Sequence, residues 1–179
     1  MPQKKSKKTN SWPPRWLTPV PKIDQNRGDG EIYANFAEAV CRVTKDSVAS
    51  PAGKLLVLRD WQKELLRHAL ARNEDGRFRH RTALVGMARK NGKSALAASM
   101  GLAGLTLGGN GSEIYSCAAD RDQARIVFGT AKRMIELDEE LSSMFTLYRD
   151  AIEFKEKASV YRVLSAEAYT KEGLNPSPL

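Results

Sequence analysis

Nine consecutive residues carry the clearest chemistry in this chain: Gly86-Met87-Ala88-Arg89-Lys90-Asn91-Gly92-Lys93-Ser94. They follow a short apolar run, Thr82–Val85, and precede a stretch rich in Ala, Leu and Gly. A strand, a glycine-containing loop and a helix in that order make an anion-binding device. Successive backbone N–H groups curl around a phosphate, and the new helix adds the positive end of its dipole. Gly92 lets the backbone approach phosphate oxygens with no Cβ in the way. Lys93 places a point charge on the β- and γ-phosphates of a nucleotide, and Ser94 offers a hydroxyl to Mg2+. The usual pattern is Gly, four residues, Gly-Lys-Ser/Thr. Its first Gly falls on Met87 here, with Gly86 one place early. An ordinary turn bearing a solvated lysine is therefore the competing explanation.

The elements that must hold this loop can be read from periodicity and breakers. Ile32, Phe36, Val40 and Val43 recur at helical spacing and predict a helix from Glu31 to about Val43. Ser50-Pro51 and Gly53 mark a loop over Lys45–Lys54, and Leu55–Leu58 is a short apolar run. Asp60 is expected to cap a helix that buries Trp61, Leu65 and Ala69, with Asn73-Glu74-Asp75-Gly76 as its stop. Thr82–Val85 reads as a strand, Lys93–Thr106 as a helix, Gly108–Gly111 as a turn and Glu113–Ala118 as a second strand. Asp120 then caps a helix whose stripe is Ala124, Val127, Phe128, Ala131 and Ile135. Ile152–Phe154 and Val160–Leu164 are later strands. This alternation argues for an α/β fold, a parallel sheet flanked by helices.

Composition narrows the classes. The chain has 179 residues, enough for one domain with tails. No uncharged apolar run reaches the ~18 residues of a membrane helix, and no secretory signal precedes Trp12-Pro13-Pro14. The formal net charge is +8. Residues 1–30 hold seven basic side chains against two acidic ones, so most of the excess sits in the leader. Residues 1–24, a lysine run followed by prolines, are expected to be a basic, disordered leader, with the folded domain over 25–179. Such a tail can touch nucleic-acid phosphates or simply be solvated. Cys41 and Cys117 lie in no paired motif, and the only histidines, His68 and His80, form no Cys/His cluster. A reducing compartment and no zinc site are expected.

Met87–Ser94 resembles the deviant Walker A motif of tailed-bacteriophage terminase large subunits, which often lack the first glycine and carry an Arg-Lys-Asn-Gly-Lys-Ser core. Four further segments agree in order and spacing. Leu58-Arg59-Asp60-Trp61-Gln62 is similar to the family's upstream Trp-Gln element. Ala119–Ala124 resembles the segment after the second strand. Ser165-Ala166-Glu167-Ala168 and Gly173-Leu174-Asn175-Pro176-Ser177 resemble the approach to Walker B. The likeness runs from about Gly30 to Ser177.

That resemblance implies a P-loop NTPase-type sheet and a set of roles. Lys93 and Ser94 would hold the phosphates and Mg2+, within a loop of Gly86, Ala88, Lys90, Asn91 and Gly92. Arg89 matches an arginine that reaches the γ-phosphate within the same subunit. Gln62 would bond the adenine edge of ATP, while Trp61 serves as a core aromatic beside it. The family's protein packages viral double-stranded DNA into procapsids, with a portal protein and a small terminase subunit as partners, in the cytoplasm of the bacterial host.

The family pattern continues into an apolar strand ending in Asp-Glu, and here the sequence stops at Pro178-Leu179. An ATPase domain incomplete at its C-terminus is expected, lacking the Walker B acids and the nuclease domain, with weak nucleotide binding and little turnover. Such a segment would be either a truncated or interrupted gene product or half of a split motor that another chain completes. Asp138-Glu139 follows the stripe begun at Ala124 and is expected to be a solvated helix end rather than the missing pair. Two other readings compete: a different P-loop enzyme, such as a helicase-like ATPase or small kinase, and a non-enzymatic basic DNA-binding fragment.

Overall fold

A computed structural model describes residues 28–47 and 50–164, together with Leu17 and Pro176 as isolated positions. The leader and the two segments near Walker B, apart from those two positions, lie outside the described residues. The chain divides into two compact units, Met1–Glu31 with Leu58–Ala83, and Ile32–Val57 with Leu84–Leu179.

The smaller unit is organised by helix α2, Asp60–Ala69. Its buried residues are Gln62 and Leu66, followed by Leu70 and Ala71, with Leu58 before it. The expected face of Trp61, Leu65 and Ala69 is thus off by one position, and those three are only half-buried. The reason is local. Gln62 Oε1 accepts the Arg59 backbone N–H at 2.9 Å, so its polar end is satisfied at the helix start and its stem can be buried. Arg59, not Asp60, is the N-cap, and Asp60 is the first helical residue. Two ion pairs tie the flanking chain to this helix region. Arg67 donates to Glu31 at 2.7 Å and Arg72 to Asp29 at 2.5 Å. Gly30 sits against the Arg67 backbone so closely that an added Cβ would lie 2.5 Å from it.

The larger unit is a four-stranded sheet with helices packed on it. Helix α1, Gly30–Val40, leads into this unit. It buries Tyr33, Ala34 and Ala37, with Cys41 just beyond, and leaves Ile32 54% exposed. The stripe is again one residue off the expected one, because small residues at 34 and 37 allow close approach. Val43 lies past the helix, where its N–H and C=O bond Lys54 and Gly53 across the 45–54 loop.

Helix α3 runs Lys93–Leu107 and is buried on nearly every side, from Leu96 to Leu105. Strand β1 is Glu113–Cys117, and helix α4 is Arg121–Glu136, capped by Asp120 accepting from Gln123 N at 2.9 Å. A short helix α5, Glu139–Met144, leads into β2, Phe145–Leu147. Strands β3, Ala151–Phe154, and β4, Ser159–Leu164, follow.

The strand order is β1-β4-β3-β2. Only β1 and β4 are parallel; β3 pairs antiparallel with both β4 and β2. The α/β class is as expected, but the sheet is mixed rather than parallel. The cause is the connection: Lys155–Lys157 is a single 3-10 turn, far too short for the crossover a parallel pair needs. Tyr161 on β4 anchors the core. Its ring meets Phe128 of α4 edge-on at 5.3 Å, and Gly101 of α3 is close enough that a Cβ would lie 3.0 Å from it. Both helices therefore lie on the Tyr161 face of the sheet.

Thr82–Val85 forms no strand. It has no ladder partner among the described residues, and Leu84 is 99% exposed. An apolar run needs a neighbour to become a strand, and none of the described residues pairs with it.

Candidate functional site

Residues 86–94 form a loop that closes on itself and opens into α3. Gly92 is the N-cap, with φ of 78°, and no side chain caps the helix. The first intrahelical bond runs from Leu96 N to Gly92 O at 3.0 Å. The amides of Lys93, Ser94 and Ala95 precede that bond, at the positive end of the helix. Lys93 folds its side chain back over the loop, and Nζ donates to the carbonyls of Met87 at 2.8 Å and Ala88 at 2.9 Å. Asn91 Nδ2 also donates to the Ala88 carbonyl, at 3.4 Å. A cation is therefore held inside a ring of backbone dipoles, beside free helical amides. That donor set suits a polyphosphate.

The backbone explains the missing first glycine. Met87 does not have a positive φ, so the position that usually carries glycine makes no conformational demand for one here. Gly86 likewise has no positive φ, and a Cβ there would meet nothing within 4 Å. The demand falls instead on Lys90, with φ of 64°, and on Gly92. Lys90 is one of only two described non-glycine residues in the left-handed region. Such strain is concentrated where a loop must present its backbone to a ligand.

The other expected site residues fall as follows. Arg89 and Lys90 form the exposed turn of the loop, and Ser94 is half-buried in the first turn of α3. Gly86, Ala88, Asn91, Gly92 and Lys93 join them in one continuous constellation. Gln62 belongs to the smaller unit, with its oxygen engaged at the start of α2. Asp138 is not a solvated helix end. It caps α5 by accepting from Leu141 N at 3.1 Å, and it pairs with Arg42 at 2.8 Å. The amide bond of Leu141, reinforced by the Arg42 guanidinium, holds its carboxyl below the usual aspartate range.

One positioning residue was not visible in the sequence. Lys157, in the turn between β3 and β4, donates to the carbonyls of Thr106 at 2.8 Å and Gly108 at 3.0 Å. It closes the C-terminal end of the helix whose other end forms the loop. No local pattern signals this, since donor and acceptors are about fifty positions apart. The two cysteines are free: Cys41 is buried and Cys117 exposed. Burial, aided by the charge of Asp138, pushes the Cys41 thiol up to about 12, which leaves it inert. No helix among the described residues is long and apolar enough to cross a membrane.

Comparison with known proteins adds independent findings. A family model, terminase large subunit, ATPase domain, matches residues 60–179. The large terminase subunit of Enterobacteria phage HK97 is 31% identical over 154 residues, covering 82% of this chain and 29% of that protein. The crystal structure of the HK97 bacteriophage large terminase superposes with a TM-score of 0.69 at 29% identity, covering 83% of this chain and 30% of that one. The chain thus spans less than a third of that relative's length.

Proposed function

Because this chain belongs to the terminase large subunit family through its ATPase domain, we propose that residues 86–94 bind ATP with Mg2+ as part of the motor that drives viral double-stranded DNA into procapsids. The observation that carries this reading is Lys93 held within its own loop by the Met87 and Ala88 carbonyls. Exchanging those carbonyl bonds for phosphate oxygens lets the ammonium meet the β,γ-phosphate charge. The bare amides of Lys93, Ser94 and Ala95 donate to the same group. Ser94 offers its hydroxyl to Mg2+, which when bound compensates phosphate charge. Arg89, exposed in the turn, is free to swing toward the γ-phosphate. Gln62 Nε2 serves the adenine edge while its oxygen remains on Arg59. Portal protein and small terminase subunit are the partners, in the bacterial host cytoplasm.

The test is a magnesium–ATP titration followed by the amide resonances of residues 86–94. Shifts confined to that loop and the first turn of α3, lost in Lys93→Ala, support the reading. Resonances that stay put across the titration would refute it.

A further inference from the structure

Asparagine followed by glycine loses its side-chain amide more readily than other asparagine sequences, because no Cβ keeps the glycine nitrogen from the side-chain carbonyl. The chain has two such pairs, Asn91-Gly92 in the phosphate loop and Asn110-Gly111 in the turn before β1. Both asparagines are exposed, and both glycines have positive φ, 78° and 74°. Their backbone nitrogens differ. Gly111 N donates to Lys157 O at 2.7 Å, which holds its proton and fixes the turn. Gly92 N meets no acceptor among the described residues. It belongs to the N-cap of α3, so the helix supplies no carbonyl to it either.

Local charge favours loss of the Gly92 proton. The amide sits at the positive end of α3. Lys93 Nζ and Asn91 Nδ2 share one acceptor, the Ala88 carbonyl, at 2.9 and 3.4 Å. The ammonium thus stands beside the Asn91 carboxamide, where it stabilises negative charge developing there. The Asn91 bond is at the long limit for a hydrogen bond and restrains that side chain little.

We propose that Asn91 is a spontaneous deamidation site and that its conversion disarms the phosphate loop. The Gly92 nitrogen gives up its proton and attacks Asn91 Cγ, and the new N–Cγ bond closes a succinimide ring. The Cγ–Nδ2 bond breaks, and the nitrogen leaves as ammonia, carrying away a proton in exchange for the one lost. Water then opens the ring at either carbonyl to give aspartate or isoaspartate. The sum is amide plus water to acid plus ammonia, with nothing oxidised or reduced. Either product places a carboxylate in a ring suited to phosphate. Isoaspartate also routes the backbone through the side chain, which displaces Gly92 and the helix start. A bound polyphosphate draws the loop amides onto its oxygens, so an occupied loop is protected and an idle one ages. That protection rests on the nucleotide reading above; the reactivity of Asn91 relative to Asn110 does not.

The experiment incubates the full chain for days in mildly alkaline buffer, with and without Mg-ATP. Peptide mass spectrometry with isoaspartyl methyltransferase labelling follows both asparagines. Acid should accumulate at position 91 while Asn110 stays an amide, and Mg-ATP should slow the conversion. Aged wild type should lose Mg-ATP sites in step with the converted fraction. Fresh Asn91→Asp should bind Mg-ATP at least about tenfold more weakly, the scale of a like charge ~4 Å away near a protein surface. Asn91→Gln, whose longer side chain closes a ring far more slowly, should keep its own starting affinity through the same incubation. Conversion at Asn110 as fast as at Asn91, or an amide that survives at Asn91, overturns the proposal. So does aged protein with Asn91 converted and its Mg-ATP sites intact. The nucleotide reading fails separately, if the fresh chain takes up no Mg-ATP; the contrast between positions 91 and 110 is measured without it.

Discussion

The Lys93 ammonium lies 2.8 Å from the carbonyl oxygen of Met87, the residue standing where a phosphate loop ordinarily has its first glycine. The loop is thus closed by its own cation before any ligand arrives. Replacing Lys93 with Ala removes a charged donor worth about 1.5–3 kcal/mol to a charged acceptor. Mg-ATP affinity should fall by roughly 10- to 150-fold on that basis. The side chain is exposed, so global stability should move by no more than about 0.5 kcal/mol. Isothermal titration beside a thermal melt checks both. A large loss of stability would show that Lys93 holds the domain rather than the ligand.

Lys90 gives a second handle on the same loop. Its left-handed backbone costs an ordinary L-residue and costs glycine little. Lys90→Gly should therefore leave stability unchanged or raise it by up to about 1 kcal/mol, after the added freedom of the unfolded chain is offset. Lys90→Ile puts a β-branched residue where it fits worst and should cost about 1–2 kcal/mol. It should also weaken Mg-ATP binding, because relaxing the strain turns the loop amides away. Equal melts for the two variants would show that position 90 is not conformationally selected.

Much of this arrangement was legible in the sequence, and the failures share a physical form. Helices α3 and α4 and strands β1, β3 and β4 fall within a residue or two of expectation, because their caps and breakers are local: Gly92, Asp120 and the glycines at 108–111. The faces of α1 and α2 were read one position off. Apolar content favoured Ile32 and Trp61, while burial went to Ala34 and Gln62, whose small size and satisfied oxygen are settled by neighbours distant in sequence or by a cap. The mixed sheet followed from a connection of one turn at Lys155–Lys157, a length the alternation argument did not weigh. Strand β2 and helix α5 are too short to show periodicity. Thr82–Val85 has the composition of a strand, and composition does not supply the neighbour that a ladder requires. At the site, the lysine and its glycine were evident from the motif, but the Lys90 strain and the Lys157 clamp were not.

Lys157 tests whether the far end of α3 serves the fold or the ligand. Its ammonium bonds two orphan carbonyls at the helix C-terminus and complements the dipole there. Lys157→Met keeps the apolar stem and removes the charge, at a cost of about 1–2 kcal/mol. The melting temperature should drop by roughly 2–8 °C for a chain of this size. The loop lies a full helix away, ~22 Å for fifteen residues, so Mg-ATP affinity measured below the melt should stay within twofold. A fall in affinity without a fall in melting temperature would instead make Lys157 part of the nucleotide response.

Asp138 sets a pH dependence that two substitutions separate. Its carboxylate is held below the ordinary aspartate value of 3.8, chiefly by the Leu141 amide and then by Arg42. A carboxylate with a depressed folded value stabilises the fold fully above its unfolded value, and that contribution is lost as pH falls through the folded one. The window therefore opens just below pH 4 and extends downward. Asn caps a helix as well as Asp does, so Asp138→Asn keeps the α5 cap and loses only the Arg42 ion pair, whose partners are 31% and 13% exposed. It should cost up to about 1 kcal/mol at pH 7. Asp138→Ala loses the cap as well, adding about 1 kcal/mol. Urea melts between pH 3 and pH 7 should show wild type and Asp138→Asn converging as pH drops, with Asp138→Ala below both throughout. Parallel curves for wild type and Asp138→Asn would mean that the Asp138 charge adds nothing to the fold, through Leu141 or through Arg42, and that a neutral cap alone holds α5.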